Sequence, residues 1–188
     1  MKQHTYVLAC PVRETSPLGV TLASLQVLLT RVGIACSRPR VGYHVTCATP
    51  FLQTDDMIRS MALGIEFASG EYDKSKWASG ALNKGLDFFV GEASDALVLR
   101  LEASREIRDL VERLRSKLGE TTDWVYPPES YHVNFHATIG EAHNLQKQIR
   151  ERDYLARLSE RAMATSQFDL EIPAIYKKAS PSWQLVKS

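Results

Sequence analysis

The chain has 188 residues, of which 44% are hydrophobic and 24% charged. These are the proportions of a folded domain and exclude a disordered tail, a collagen-like repeat or a coiled coil. Its 23 Lys and Arg against 22 Asp and Glu leave a formal net charge of +1, too weak a field to hold long duplex nucleic acid, so a nucleotide ligand is expected to be small or gripped locally.

Residues 5–12 (TYVLACPV) are dense in strand formers and predict a first strand. Between Thr21 and Val32 the residues Leu22, Leu25, Leu28, Leu29 and Val32 recur at helical spacing, and Gly33 supplies a stop. Residues 41–49 (VGYHVTCAT) read as a second strand closed by Pro50. Thr54, with Asp55 and Asp56 behind it, opens a helix to about Phe67. Residues 70–80 carry turn and polar types, after which 81–90 and 96–103 predict a hairpin around the turn GEASD. Ser104 caps a helix with the apolar stripe Ile107, Leu110, Val111, Leu114 and Leu118, ended by Gly119. Pro127 and Pro128 mark a loop before a strand over 131–139 (YHVNFHATI). Asn144 is expected to cap one long charged helix to Met163, and 168–176 with 182–187 predict two closing strands turned at Pro181.

The order of elements recurs. Strand, helix, strand with His-x-Thr, helix and strand describe residues 5–90 and again 96–176. This predicts one bilobal domain with lobe-forming halves of about 1–92 and 93–188. Cys10, Cys36 and Cys47 are odd in number and lack CxxC spacing, so buried reduced thiols and a reducing compartment are expected. The apolar run from Tyr6 to Val12 is too short for a signal core or a membrane span, and a cytosolic monomer with no membrane partner is expected.

Of five histidines, two are followed at i+2 by threonine: His44-Val45-Thr46 and His136-Ala137-Thr138, 92 residues apart. With 11 threonines in the chain, chance gives roughly 0.3 such tripeptides by independent composition. Each tripeptide lies in a predicted strand, where i and i+2 share a face, so histidine and threonine project together. Two imidazoles on opposite sides of a phosphodiester can act as base and acid in one displacement, while hydroxyls hold the non-bridging oxygens. Taken singly, each tripeptide is more simply a half-buried strand histidine beside an ordinary strand former; the duplicated placement reverses that balance.

Weaker signals surround the pair. His132 and Asn134 share the predicted face of His136, nearer the rim, but His132 and His136 would lie about 13 Å apart along a strand, too far for one zinc ion. Tyr6, Trp77, Tyr131, Tyr176 and Trp183 are candidate base-stacking aromatics. Arg38 with Arg40, and Lys177 with Lys178, could steer an anion or simply be solvated edge charges.

The two tripeptides, with Phe135-His136-Ala137-Thr138-Ile139-Gly140 and the strands around Phe88, Leu99 and the terminal FDLEIPAIYKK…WQLV, resemble the 2H phosphoesterase superfamily over nearly the whole chain. That superfamily includes bacterial RNA 2′,3′-cyclic phosphodiesterases (2′-5′ RNA ligases), eukaryotic and viral 2′,5′-oligoadenylate phosphodiesterases and phage anti-CBASS nucleases. The resemblance implies an α/β (α+β) fold, bilobal and pseudo-twofold, with two antiparallel-rich sheets lining a central cleft and helices outside. It implies His44 and His136 as the acid/base pair, Thr46 and Thr138 as phosphate binders, and a base pocket to which Tyr6, Tyr176 and Trp183 contribute. No metal or cofactor is implied. The chain carries Glu141 where many bacterial members have a basic residue.

The activity so implied is a metal-independent phosphodiesterase acting on a 2′,3′-cyclic phosphate or a 2′,5′ or 3′,5′ diester in a small nucleotide or oligonucleotide. A nuclease degrading a cyclic or 2′,5′-linked signalling oligonucleotide is the alternative within that class. A non-catalytic nucleotide or RNA-binding module is the alternative outside it.

Overall fold

A computed structural model of the chain describes residues 2–39, 42–48, 50–70, 80–119, 123–124, 135–179 and 182–186. Arg40, Trp77, Pro127, Pro128, Tyr131, His132, Asn134 and Pro181 lie outside the described residues, as do the turn over 71–79 and the first part of the strand expected at 131–139.

Strand β1 (His4–Pro11) leads into helix α1 (Pro17–Arg31), four residues earlier than leucine periodicity alone predicts. Ser16 Oγ accepts from Gly19 N at 3.1 Å and donates to Arg13 O at 2.7 Å. Pro17 follows at the first helical position, where its missing N–H costs nothing. At the other end Gly33, with φ of 73°, lets its own N–H reach Thr30 O while Ile34 N reaches Leu29 O, both at 3.0 Å. Those two bonds satisfy carbonyls that the last turn leaves open. Leu18, Leu22, Leu25 and Leu29, all essentially inaccessible, face the sheet.

The short strands β2 (His44–Thr46) and β3 (Phe51–Gln53) precede helix α2 (Asp55–Gly70). The hairpin β4 (Ala81–Val90) and β5 (Asp95–Ala103) forms as expected, with a bulge near Asn83 to Leu86. Helix α3 (Arg105–Gly119) starts on Ser104, whose Oγ accepts from Ile107 N at 3.4 Å. Then come β6 (Asp123–Trp124) and β7 (His136–Ala142).

The single helix expected over 144–163 is two, α4 (Leu145–Glu151) and α5 (Leu155–Met163). Asp153, at φ of 50°, takes the left-handed position that short polar side chains tolerate. The bonds Asp153 N to Arg150 O and Tyr154 N to Ile149 O end α4 there. Asn144 is itself left-handed and makes no side-chain cap; the buried Asp95 at the start of β5 accepts from Gln146 N at 3.2 Å instead. The strand expected at 168–176 also splits, into β8 (Gln167–Phe168) and β9 (Ala174–Ala179), before β10 (Ser182–Leu185). Pro173, which has no N–H to donate to a ladder, stands just before β9.

All pairings are antiparallel. The strand order is β10-β9-β1-β2-β7-β5-β4-β8, with β3 and β6 attached beside β1. The two expected sheets are therefore one, because the two His-x-Thr strands, β2 and β7, pair with each other at its centre. The 81–90 strand joins β5, and β9 crosses back to β1.

The main core lies on one side of this sheet. Leu8, Cys10, Val45, Leu97, Leu99, Ala137 and Ile139 pack there against apolar residues of all five described helices. No helix among the described residues is long and apolar enough to cross a membrane.

Candidate active site

Strand alternation sends neighbours to opposite faces, and the burial pattern assigns those faces. Val45, Ala137 and Ile139 enter the helix-side core, so His44, Thr46, His136 and Thr138 point to the other face. In the β2–β7 ladder Val45 pairs with Ala137 and Thr46 with His136, and one residue further along His44 stands opposite Thr138. The four side chains thus form a square, with each histidine beside the other motif's threonine. The histidines occupy a diagonal, for which antiparallel geometry gives about 7–8 Å. A phosphate fits between two imidazoles carried at that spacing.

Neighbouring strands extend the square into two rows. One runs Ala174, Ala9, Thr46, His136, Arg100; the other runs Pro11, His44, Thr138, Val98, Asp87. The face is flanked by small or apolar residues on the β1 side and by a charged pair on the β5–β4 side.

His44 is half-buried, and its Nδ1 lies 2.9 Å from Gly42 O. A carbonyl only accepts, so Nδ1 carries the proton and Nε2 keeps its lone pair in the neutral ring. Burial pushes the His44 pKa below its ordinary value, against the smaller opposing effects of the Gly42 bond and the Glu141 charge. His136 is 6% exposed, and the Phe89 ring stands edge-on to it, with centroids 4.6 Å apart and planes at 73°. Gly140, two residues beyond Thr138, allows the 36–37 segment to close on β7; a Cβ there would stand 2.6 Å from Cys36 Sγ.

The aromatic candidates divide by face. Tyr176 is buried on the square's side with Val7 and Ala9, and Trp183 packs against that cluster. Tyr6 is not brought to the square. It is fully buried on the helix side, stacked with Phe51, and its hydroxyl donates to Asp55. Burial and the bond to Asp55 raise the Tyr6 pKa.

Of the suggested anion-steering residues, Lys178 is exposed opposite Trp183 on the square's side of the sheet, while Lys177 and Arg38 are engaged elsewhere. Lys177 Nζ sits 2.7 Å from both oxygens of Asp55, which lowers the Asp55 pKa. Arg38 bonds Gln26 Oε1 at 2.7 Å and lies over the Tyr43 ring. Cys10, Cys36 and Cys47 are free thiols, Cys10 and Cys47 being buried with their sulfurs 3.3 Å apart. Among the described residues no group of three His, Cys, Asp or Glu could hold a metal ion.

Arg100, Asp87 and Phe89 escaped the sequence reading as site residues. A lone arginine inside the apolar strand ALVLRLEA was the available signal for the first; nothing local marked the other two.

No protein-family model matches the chain, and a search of curated proteins found no match. Among solved structures, Kluyveromyces marxianus Usb1 is similar with a TM-score of 0.54 and 14% identity, covering 98% of each chain. Kluyveromyces marxianus Usb1 with uridine monophosphate is similar with a TM-score of 0.52 and 14% identity, over 98% of this chain and 99% of that one. At this identity the likeness shows a shared fold.

Proposed function

We propose that the chain is a two-histidine phosphodiesterase acting on a small nucleotide or an oligonucleotide end, with hydrolysis of a ribose 2′,3′-cyclic phosphate as the reaction the site suits best. The observation carrying this reading is the pairing of Thr46 with His136 beside Val45 with Ala137, which draws two tripeptides 92 residues apart into one square. The similarity of fold to a protein solved with uridine monophosphate supports a nucleotide ligand.

In this reaction the scissile phosphate rests over the square, its non-bridging oxygens accepting from the Thr46 and Thr138 hydroxyls. His44 Nε2 takes a proton from water, the water oxygen attacks phosphorus, and one ribose P–O bond breaks. His136 gives its proton to the departing ribose oxygen. The product is a phosphomonoester, and a proton exchange between the two rings restores the starting state. Depressed basicity and a fixed tautomer suit His44 to the base role.

The test is turnover of a 2′,3′-cyclic nucleotide, a 2′,5′-linked oligoadenylate and a cyclic dinucleotide, each in the presence of a chelator. At least one substrate is expected to be cleaved, with His44→Ala and His136→Ala each losing about 10²–10⁴-fold in kcat. Activity that survives both single substitutions overturns the site.

A further inference from the structure

The surroundings of the square are lopsided. The sheet's pseudo-twofold exchanges β2 with β7 and β1 with β5, so Ala9 corresponds to Val98 and Pro11 to Arg100. Three of these four flanking residues are apolar, and the fourth is a cation directly opposite His136. Arg100 Nη1 is 2.9 Å from Asp87 Oδ2, and both side chains remain about two-fifths exposed, at 42% and 41%. A pair so exposed contributes little to stability.

Beyond Arg100 a hollow of about 360 Å³ is lined by Lys84, Arg100, Glu102, Arg108 and Phe135, together with Leu101 and Ala103. Its three cations meet two carboxylates, Glu102 in the lining and Asp87 paired with Arg100 at its edge. Lys84 Nζ is 2.5 Å from the Glu102 carboxylate. Phe135 immediately precedes His136 and by strand alternation turns to the helix-side core, so the hollow meets the square through Arg100, which stands opposite His136. On the opposite flank lie Ala9, Ala174, Val7, Tyr176 and Trp183, with the exposed Lys178 at the far end beside Trp183. A ligand lying across the sheet therefore meets Ala9 and Ala174 beside Thr46 on one side of the scissile phosphate and the Arg100 guanidinium beside His136 on the other.

We infer that the Arg100 hollow binds a second phosphate of the substrate, so the preferred ligand carries a further phosphate group besides the one that reacts. This rests on the phosphodiesterase reading and deepens it. The guanidinium offers five donors in a planar fork matched to phosphate oxygens. Arg108 adds charge at the rim, while Lys84 is held by Glu102. The second phosphate can be an internucleotide diester or a terminal monoester, which share this chemistry.

The experiment compares wild type, Arg100→Gln and Arg100→Lys on three substrates: uridine 2′,3′-cyclic phosphate, its 5′-phosphorylated form, and the dinucleotide UpU ending in a 2′,3′-cyclic phosphate. Wild type is expected to prefer one or both phosphate-bearing substrates by about tenfold or more in kcat/KM. Arg100→Gln should collapse that preference to within about twofold, and Arg100→Lys should retain part of it because it keeps charge without the fork. Loss on the 5′-phosphorylated nucleotide identifies a terminal monoester, and loss on the dinucleotide identifies a diester. A preference left intact by Arg100→Gln, or no preference in wild type, overturns the inference.

A binding arm separates this failure from that of the enzymatic reading. By calorimetry, uridine 3′,5′-bisphosphate should bind wild type about tenfold more tightly than uridine 3′-monophosphate, and Arg100→Gln should erase the difference. That result in a chain that turns nothing over would sink the enzyme reading and keep the second-phosphate site; equal affinities in an active enzyme would do the reverse.

Discussion

At His44 the hydrogen bond and the burial act on different properties. The Gly42 carbonyl fixes which nitrogen is protonated, while burial makes the ring harder to charge. If His44 is the base, activity requires its neutral form, so the acidic limb of a kcat/KM–pH profile is expected to fall with a midpoint below the ordinary histidine value of about 6.5. A midpoint well above that would reassign the base. The same shift has a sign for stability. Because the folded pKa is depressed, the unfolded chain takes up a proton first as pH falls below about 6.5. His44 therefore contributes stability that is present above that pH and declines down to the folded pKa. Chemical denaturation of wild type and His44→Gln across pH 5–8 reads the difference, which should shrink as pH falls. The sequence disclosed both histidines and threonines, since chemistry and spacing suffice for that; it did not disclose Phe89 as cover, because that depends on a contact across the fold, nor Gly42 as partner, because that local bond depends on which way the ring turns.

Among the elements, α1 shows how a local signal can be legible and still be passed over. Leucine spacing dates the helix from Thr21, yet Ser16 and Pro17 form its actual start. Ser16→Ala removes the acceptor for Gly19 N and is expected to cost about 1 kcal/mol, seen as a Tm lower by about 2–4 °C for a chain of this size. Ser16→Gly should cost only a few tenths of that energy. Helix α4 is the contrary case. Its N-terminal amide is met by Asp95, which lies 51 residues away from Gln146, and no window of local sequence contains that pairing. The split between β8 and β9 likewise follows from two destinations, β4 at one end of the sheet and β1 near the other.

On the scale of the whole molecule, the two sequence halves are knitted together in three ways. β2 pairs with β7, each half's last long strand lies in the ladder of the other half's first, and one buried core runs under both. Independent melting of halves is therefore not expected. Leu22→Ala, made at an inaccessible core position, should lower stability by about 2–5 kcal/mol while unfolding stays a single transition by both circular dichroism and tryptophan fluorescence. Two separated transitions would show that the halves are autonomous.

Periodicity, capping residues and the repeated His-x-Thr are properties of short windows, so the amino-acid order alone placed most elements and singled out the four residues that the sheet brings into the square. Which edges meet is a long-range matter. Only the folded sheet decided that β2 lies against β7, that Tyr6 turns to the helices while Tyr176 shares the square's face, and that a single arginine stands beside His136. Side-chain direction is set by local alternation, but neighbours across strands are chosen by which pairing buries the whole apolar set at once.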